Sequence, residues 1–263
     1  MNHSAALDYL HGARGLLEKA IAQQELIERA AKWFADSILA GRLVHLFGSG
    51  HSRIMVEEMW PRYGSFPGFH PIVELSLTNH HQVVGNNGQR QAMFLENVHG
   101  LAERILRNFR LDPLDTALIV SSSGCNVVPI EMAQHFQAKG IKVVALISRE
   151  HAQASHSSHQ SKKKLQDAAD LLLDTGAPIG DAMVRVQGLE TPVAPGSTVG
   201  GCLIINAIKA SVAEQLTQAG HPPKVITASA LLGRQRAADL FESAYDEHAD
   251  RVAKLYHQGD KVS

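Results

Sequence analysis

Cysteine is almost missing from this sequence: Cys125 and Cys202 are the two in 263 residues, each following a glycine. Two thiols without metal or pairing spacing exclude a disulfide-stapled scaffold and a cysteine zinc site, and they fit a reducing, cytoplasmic setting. An excess of one charge is lacking too. Lys plus Arg total 25 against 26 Asp plus Glu, a net charge of −1. That balance gives no electrostatic case for nucleic acid or an anionic membrane, so any bound anion must be gripped locally. No stretch approaches the roughly 18 apolar residues of a membrane span. The opening Met1-Asn2-His3-Ser4 lacks a basic segment followed by an apolar run, so neither export nor insertion is expected. Low-complexity segments, linkers and 20-to-50-residue repeats are likewise missing.

What is present is an alternation of strand-like and helix-like segments. Residues 5–40 carry Leu7, Leu10, Leu16, Leu17, Ile21, Ile27, Phe34 and Ile38 at helical spacing, which predicts one long helix or a helical pair stopped at Gly41. Short apolar runs at 43–47, 71–75, 117–120, 142–147 and 170–174 read as five strands. Helices are expected over 92–108 and 127–139, within 148–169, and at 197–219 and 234–256, with an irregular stretch after 177. Strands alternating with helices at this interval predict a five-stranded, parallel, doubly wound α/β sheet with binding loops at the strand C-termini. The division expected is a helical extension over residues 1–40 and one domain over 41–263.

Two loops stand out. Gly48-Ser49-Gly50-His51-Ser52 follows a strand and opens a helix, where free backbone N–H groups favour an anion. It lacks the later glycine of a dinucleotide fingerprint, position 53 being Arg53, and the Gly-Lys-Ser/Thr ending of a P-loop. A tight strand-to-helix turn needs glycine even where nothing binds, so this loop alone decides little. Ser121-Ser122-Ser123-Gly124-Cys125-Asn126 repeats the arrangement before the next helix. One such residue suffices to cap a helix; three successive hydroxyls and an asparagine exceed that need and suit phosphate oxygens without adding positive charge. A third opening, Pro195-Gly196-Ser197-Thr198, either joins the pocket or simply caps its helix.

In combination these loops resemble the signature loops of the SIS (sugar isomerase) domain family, over roughly residues 5–245. The subgroup described as phosphosugar or phosphoheptose isomerases is the nearest likeness, through residues 156–165, Gly180-Asp181-Ala182 and Ser197-Thr198-Val199-Gly200. The resemblance implies a flavodoxin-like sheet, a phosphorylated-sugar ligand, and a homodimer or homotetramer. It assigns the phosphate to Gly48, Ser49, Gly50, His51, Ser52, Ser121, Ser122, Ser123 and Asn126; Asn126 stands where such loops often carry Ser or Thr.

Moving a proton between two sugar carbons needs a base and a proton shuttle. Glu57 and Glu58, on the helix leaving the first loop, lie in a run that resembles the phosphoheptose isomerase helix bearing the base, at a different spacing. Glu96, opening the helix after the polar loop, is the rival. A surface glutamate pair is the commoner explanation of Glu57-Glu58, and complementing its helix N-terminus would by itself account for Glu96. Among 15 histidines, His81 and His159 are the preferred shuttles because both fall on loops expected at the strand ends. A metal reading through His156 with His159, or His80 with His81, is weaker, because no cysteine or carboxylate joins them at a standard spacing; neither metal nor cofactor is expected. The reading reached is an aldose–ketose sugar-phosphate isomerase. Its alternatives are a non-catalytic phosphosugar sensor and a SIS-type lyase or deaminase acting on an amino-sugar phosphate.

Overall fold

The computed structural model of the chain describes residues 4–78 and 88–256. At its centre β1 (Val44–Gly48), β2 (Phe69–Ile72), β3 (Thr116–Val120), β4 (Lys142–Ile147) and β5 (Leu171–Asp174) form a parallel sheet in the order β2-β1-β3-β4-β5. Successive side chains of a strand face opposite ways, and this sheet is covered on both sides. Val144 and Leu146 of β4 join Val44, Leu46, Leu118 and Val120 in one core, whereas Val143, Ala145 and Ile147 join Ala117 and Ile119 in the other. Strands buried on both faces have no polar alternation to show, which is why they read as continuous apolar runs.

The first core is closed by α2 (Gln24–Leu39), α3 (Arg53–Met59) and α8 (Ser197–Gln218), through Phe34, Met55, Ile204 and Ile208 among others. The second is closed by α5 (Leu101–Leu106) and α6 (Val127–Ala138). Residues 5–40 form two helices, α1 (Ala5–Ile21) and α2, and they are embedded differently. Phe34, Ala30 and Ala31 of α2 are fully buried against the sheet, while α1 buries only Leu16 and Ala20.

A buried polar chain ties β1 to β2. His45 Nε2 lies 3.2 Å from Asp115 Oδ2, and its Nδ1 lies 3.0 Å from Nδ1 of His70. Arg42 pairs with the same Asp115 at 2.9 Å. Burial, then the neighbouring His45, push His70 down to about 3. Burial raises Asp115, but hydrogen bonds from His45 and Arg42 outweigh it and bring it to about 2.

Three expectations need correction. The second strand runs over Phe69–Ile72 rather than 71–75, with Pro71 inside it opposite Leu46; β2 is an edge strand, where a residue without an N–H is tolerated. The expected helix 92–108 is two, α4 (Gln89–Leu95) and α5, divided where Gly100 takes a left-handed φ of 81°. The helix expected within 148–169 is present as α7 (Arg149–Ala154), followed by a 3-10 turn at Leu165–Ala168. The stretch after 177 holds an antiparallel ribbon of β6 (Ala182–Val184) and β7 (Val193–Pro195). Two further helices, α9 (Ser229–Leu232) and α10 (Arg234–Ala253), complete the described residues. No helix among them is long and apolar enough to cross a membrane.

Candidate functional site

In a sheet of this order the chain departs in opposite directions from β1 and β3, and a crevice opens outside their carboxyl ends. Gly48 ends β1 beside Val120, the last residue of β3. The two serine loops therefore leave adjacent strands and face one another. Gly48 is required sterically: a Cβ there would lie 2.6 Å from the Ser52 carbonyl oxygen, so a side chain would prevent the first loop from turning into its 3-10 segment, Gly50–Ser52.

Between the loops lies a cleft of about 410 Å³. Ser49, Gly50, His51 and Ser52 line one wall, and Ser121, Ser122, Ser123 and Asn126 another. Some of these hydroxyls support the loop itself. Ser121 Oγ accepts from the Gly124 N–H at 3.2 Å, and Ser123 Oγ from the Cys125 N–H at 3.2 Å. Ser122 Oγ is different: it is buried and has no hydrogen-bond partner among the described residues. A buried hydroxyl left unpaired is costly, and this one lies on a loop that lines the cleft. No lysine or arginine appears among the described lining residues, so an anion would be held by hydroxyls and backbone N–H groups.

Glu96, just past the end of α4, reaches the centre of this arrangement. The Ser49 hydroxyl donates to its Oε2 at 2.7 Å, and the Asn126 side chain also hydrogen-bonds to it. One donor thus comes from each loop. The Glu96 carbonyl accepts the Val128 N–H at 2.9 Å, which fixes its backbone to the first turn of α6. Burial raises the Glu96 carboxyl above its ordinary value, and the two hydrogen bonds offset only part of that.

Glu57 and Glu58 do not line the cleft. Glu57 is half exposed and pairs with Arg53 one turn back. Glu58 is engaged by Arg62, and its Oε1 accepts from Asn206 at 2.8 Å. Burial raises its carboxyl, but the hydrogen bonds of Asn206 and Arg62 and the charges of Arg62 and Lys209 bring it below the usual range. His159 is also outside the cleft, beside Glu131. His81, with His80, falls outside the described residues.

Four lining residues come from chain segments far from the serine loops: His151, Thr175, Asp181 and Ser197. Asp181 holds a left-handed φ of 60°. Its Oδ1 accepts from the N–H groups of Gly196 (3.1 Å) and Ser197 (2.7 Å), and its Oδ2 from the Ser197 hydroxyl (2.6 Å). The third helix opening is therefore occupied by a carboxylate of the chain itself. His151 Nδ1 accepts the Gly180 N–H at 3.1 Å, so in the neutral ring the proton sits on Nε2. Asp181 stands out in the sequence only through the resemblance of Gly180-Asp181-Ala182, with no role attached, His151 only as one of a group of histidines, and Thr175 not at all.

A parallel α/β sheet with a cleft at its switch point, walled by paired serine loops, defines the class. The family model of the SIS domain matches residues 8–148, and the chain belongs to that family. It is 32% identical over 228 residues to the UPF0309 protein BH3325 of Halalkalibacterium halodurans, covering 87% of this chain and 90% of that one. It is 31% identical over 248 residues to the UPF0309 protein BCAN_B0929 of Brucella canis, covering 94% and 96%. Among solved structures it is similar to a phosphoheptose isomerase from Francisella tularensis, at 16% identity and a TM-score of 0.47, over 79% of this chain and 97% of the other.

Proposed function

We propose that the cleft binds a phosphorylated sugar, with its phosphate between residues 49–52 and 121–123, and that Glu96 interconverts its aldose and ketose forms. The observation that carries this reading is the double tether of Glu96: Ser49 and Asn126, one from each serine loop, both hold its carboxyl. A base fixed to both halves of a phosphate grip is set at a constant distance from whatever the phosphate anchors. The orphaned Ser122 hydroxyl and membership of the SIS family support the same ligand.

In the proposed reaction the Glu96 carboxylate takes the proton from the carbon next to the sugar carbonyl. The electron pair moves to form an enediol, and the same carboxyl returns the proton to the neighbouring carbon. His151, with its Nε2 proton, moves the hydroxyl proton in the opposite sense. Burial serves this chemistry, because a carboxylate with a raised proton affinity is a stronger base. The cleft holds no fixed cation among its described residues, which keeps that affinity high. The protein is proposed to act in the cytoplasm as a homo-oligomer, with the exposed apolar stripe of α1 as the joining face.

Two measurements test this. A panel of pentose, hexose, heptose and N-acetylhexosamine phosphates should contain at least one member that raises the melting temperature, since a ligand of the native state stabilises it; no shift with any member contradicts sugar-phosphate binding. With that ligand in deuterated water, wild-type protein should wash deuterium into the carbon beside the carbonyl, and Glu96→Gln should bind but exchange roughly 10²–10⁴-fold more slowly. Full exchange in Glu96→Gln would rule out the base, and binding without any exchange in wild type would identify a sensor.

A further inference from the structure

A second cluster of chemistry-bearing side chains lies outside the cleft. His99 follows α4, Glu131 is on α6, and His159 lies in the segment between α7 and β5. They are 32 and 28 residues apart in sequence, respectively, from Glu131. Each offers one ligand atom, and these atoms all lie within 4.8 Å of one another. His99 Nδ1 is 2.8 Å from Glu131 Oε1, His159 Nε2 is 3.9 Å from the same oxygen, and the two rings are 5.1 Å apart between centroids.

We propose that His99, Glu131 and His159 form a binding site for a divalent cation of zinc-like chemistry, separate from the sugar-phosphate cleft. Two imidazoles and one carboxylate are a donor set suited to such an ion, with bonds of about 2.0–2.2 Å and a fourth position left to water. The surroundings prepare the ligands. Glu131 Oε2 is held by the Gly100 N–H at 2.9 Å, which leaves Oε1 turned to the two histidines. The far nitrogen of His159, Nδ1, has Ser161 Oγ at 2.7 Å and takes the Ser161 N–H at 3.2 Å in the metal-free ring. A cation on Nε2 would require the tautomer with its proton on Nδ1, which then donates to Ser161 Oγ while the Ser161 N–H contact to that nitrogen is given up, the arrangement that orients a metal-bound imidazole. Glu131 and His159 are largely buried, with 12% and 13% of their side chains exposed, while His99 stays open to solvent and supplies an entry path.

Position gives the site a consequence. The segment carrying His159 clasps the second serine loop: the Ser158 N–H donates to the Cys125 carbonyl at 2.9 Å and the Leu165 N–H to the Gly124 carbonyl at 2.8 Å. His99 is three residues past Glu96. A cation joining these parts to α6 would fasten the serine loop and the Glu96 turn together from outside the cleft.

The test is isothermal titration of the full chain, stripped with a chelator, with zinc chloride. Expected is one equivalent per chain, with a higher melting temperature in the zinc-loaded protein that chelation reverses. His99→Gln and His159→Gln should each weaken the affinity by at least about tenfold, and Ser161→Ala by roughly 10–100-fold. His156→Ala, a histidine of the same segment outside the cluster, should bind as wild type does. Both histidine variants should keep the metal-free melting temperature of wild type, which separates lost binding from lost folding. Absence of stoichiometric zinc, or zinc bound equally by His99→Gln and His159→Gln, overturns the proposal. Neither result depends on sugar-phosphate binding or turnover.

Discussion

At the scale of single residues the proposed chemistry turns on how Glu96 holds its proton. Burial favours the neutral carboxyl, and Ser49 and Asn126 favour the carboxylate, with burial the stronger. Glu96 therefore ionises above the ordinary glutamate value of about 4.3, and a reaction that needs the carboxylate rises with pH through that displaced point. Removing the Ser49 hydroxyl takes away one stabiliser of the charged form. In Ser49→Ala the acid limb of kcat/KM should move to higher pH than in wild type; a limb that stays in place or moves down contradicts the assignment. Glu96 stands in the sequence as a candidate, but on a placement that needs correction: it is expected to open the helix after the polar loop, whereas it caps the C-terminal end of α4, and its rank over Glu57 and Glu58 is not legible at all. That rank depends on Ser49, 47 residues away, and Asn126 reaching the same carboxyl. Asp181 and Ser197 show the same limit: the Pro195-Gly196-Ser197-Thr198 opening is legible as a helix start, but the carboxylate that fills it arrives from another turn.

Among the elements, α8 shows how closely the wall of the cleft is fitted. A Cβ on Gly200 would lie 2.0 Å from the Thr175 carbonyl oxygen, at the end of β5. Backbone cannot yield as a flexible side chain can, so Gly200→Ala must push α8 away from the sheet. A loss of about 1–3 kcal/mol is expected, read as a lower urea midpoint with an unchanged m-value; an unchanged midpoint would show that the contact is not made. Strands β1, β3 and β4 were legible because burial on both faces leaves nearly unbroken apolar runs. β2 was displaced in the reading because Pro71 looks like a strand start, and only its edge position explains a proline inside the ladder. The run 92–108 kept helical spacing across Gly100, so its periodicity concealed the break.

The whole molecule exposes one feature that a single chain does not explain. Leu7, Leu10, Leu17 and Ile21 recur at helical spacing along α1 and stay exposed, Leu10 and Ile21 at 63% each. If this stripe joins copies of the chain, sedimentation should show a homo-oligomer that Leu10→Glu with Ile21→Glu converts to monomers of unchanged fold; an oligomer indifferent to both changes would place the interface elsewhere. Topology was legible to the same degree: alternating segments indicate a parallel doubly wound sheet, but not the strand order that sets β1 against β3. That order makes one site of two loops about 70 residues apart, roughly the spacing of two βαβ units, and the central claim rests on it. The most direct measurement is an amide NMR titration with the sugar phosphate that raises the melting temperature. Backbone signals of residues 49–52 and 121–123 should shift together along one binding curve, and shifts confined to one loop, or to neither, would contradict the account.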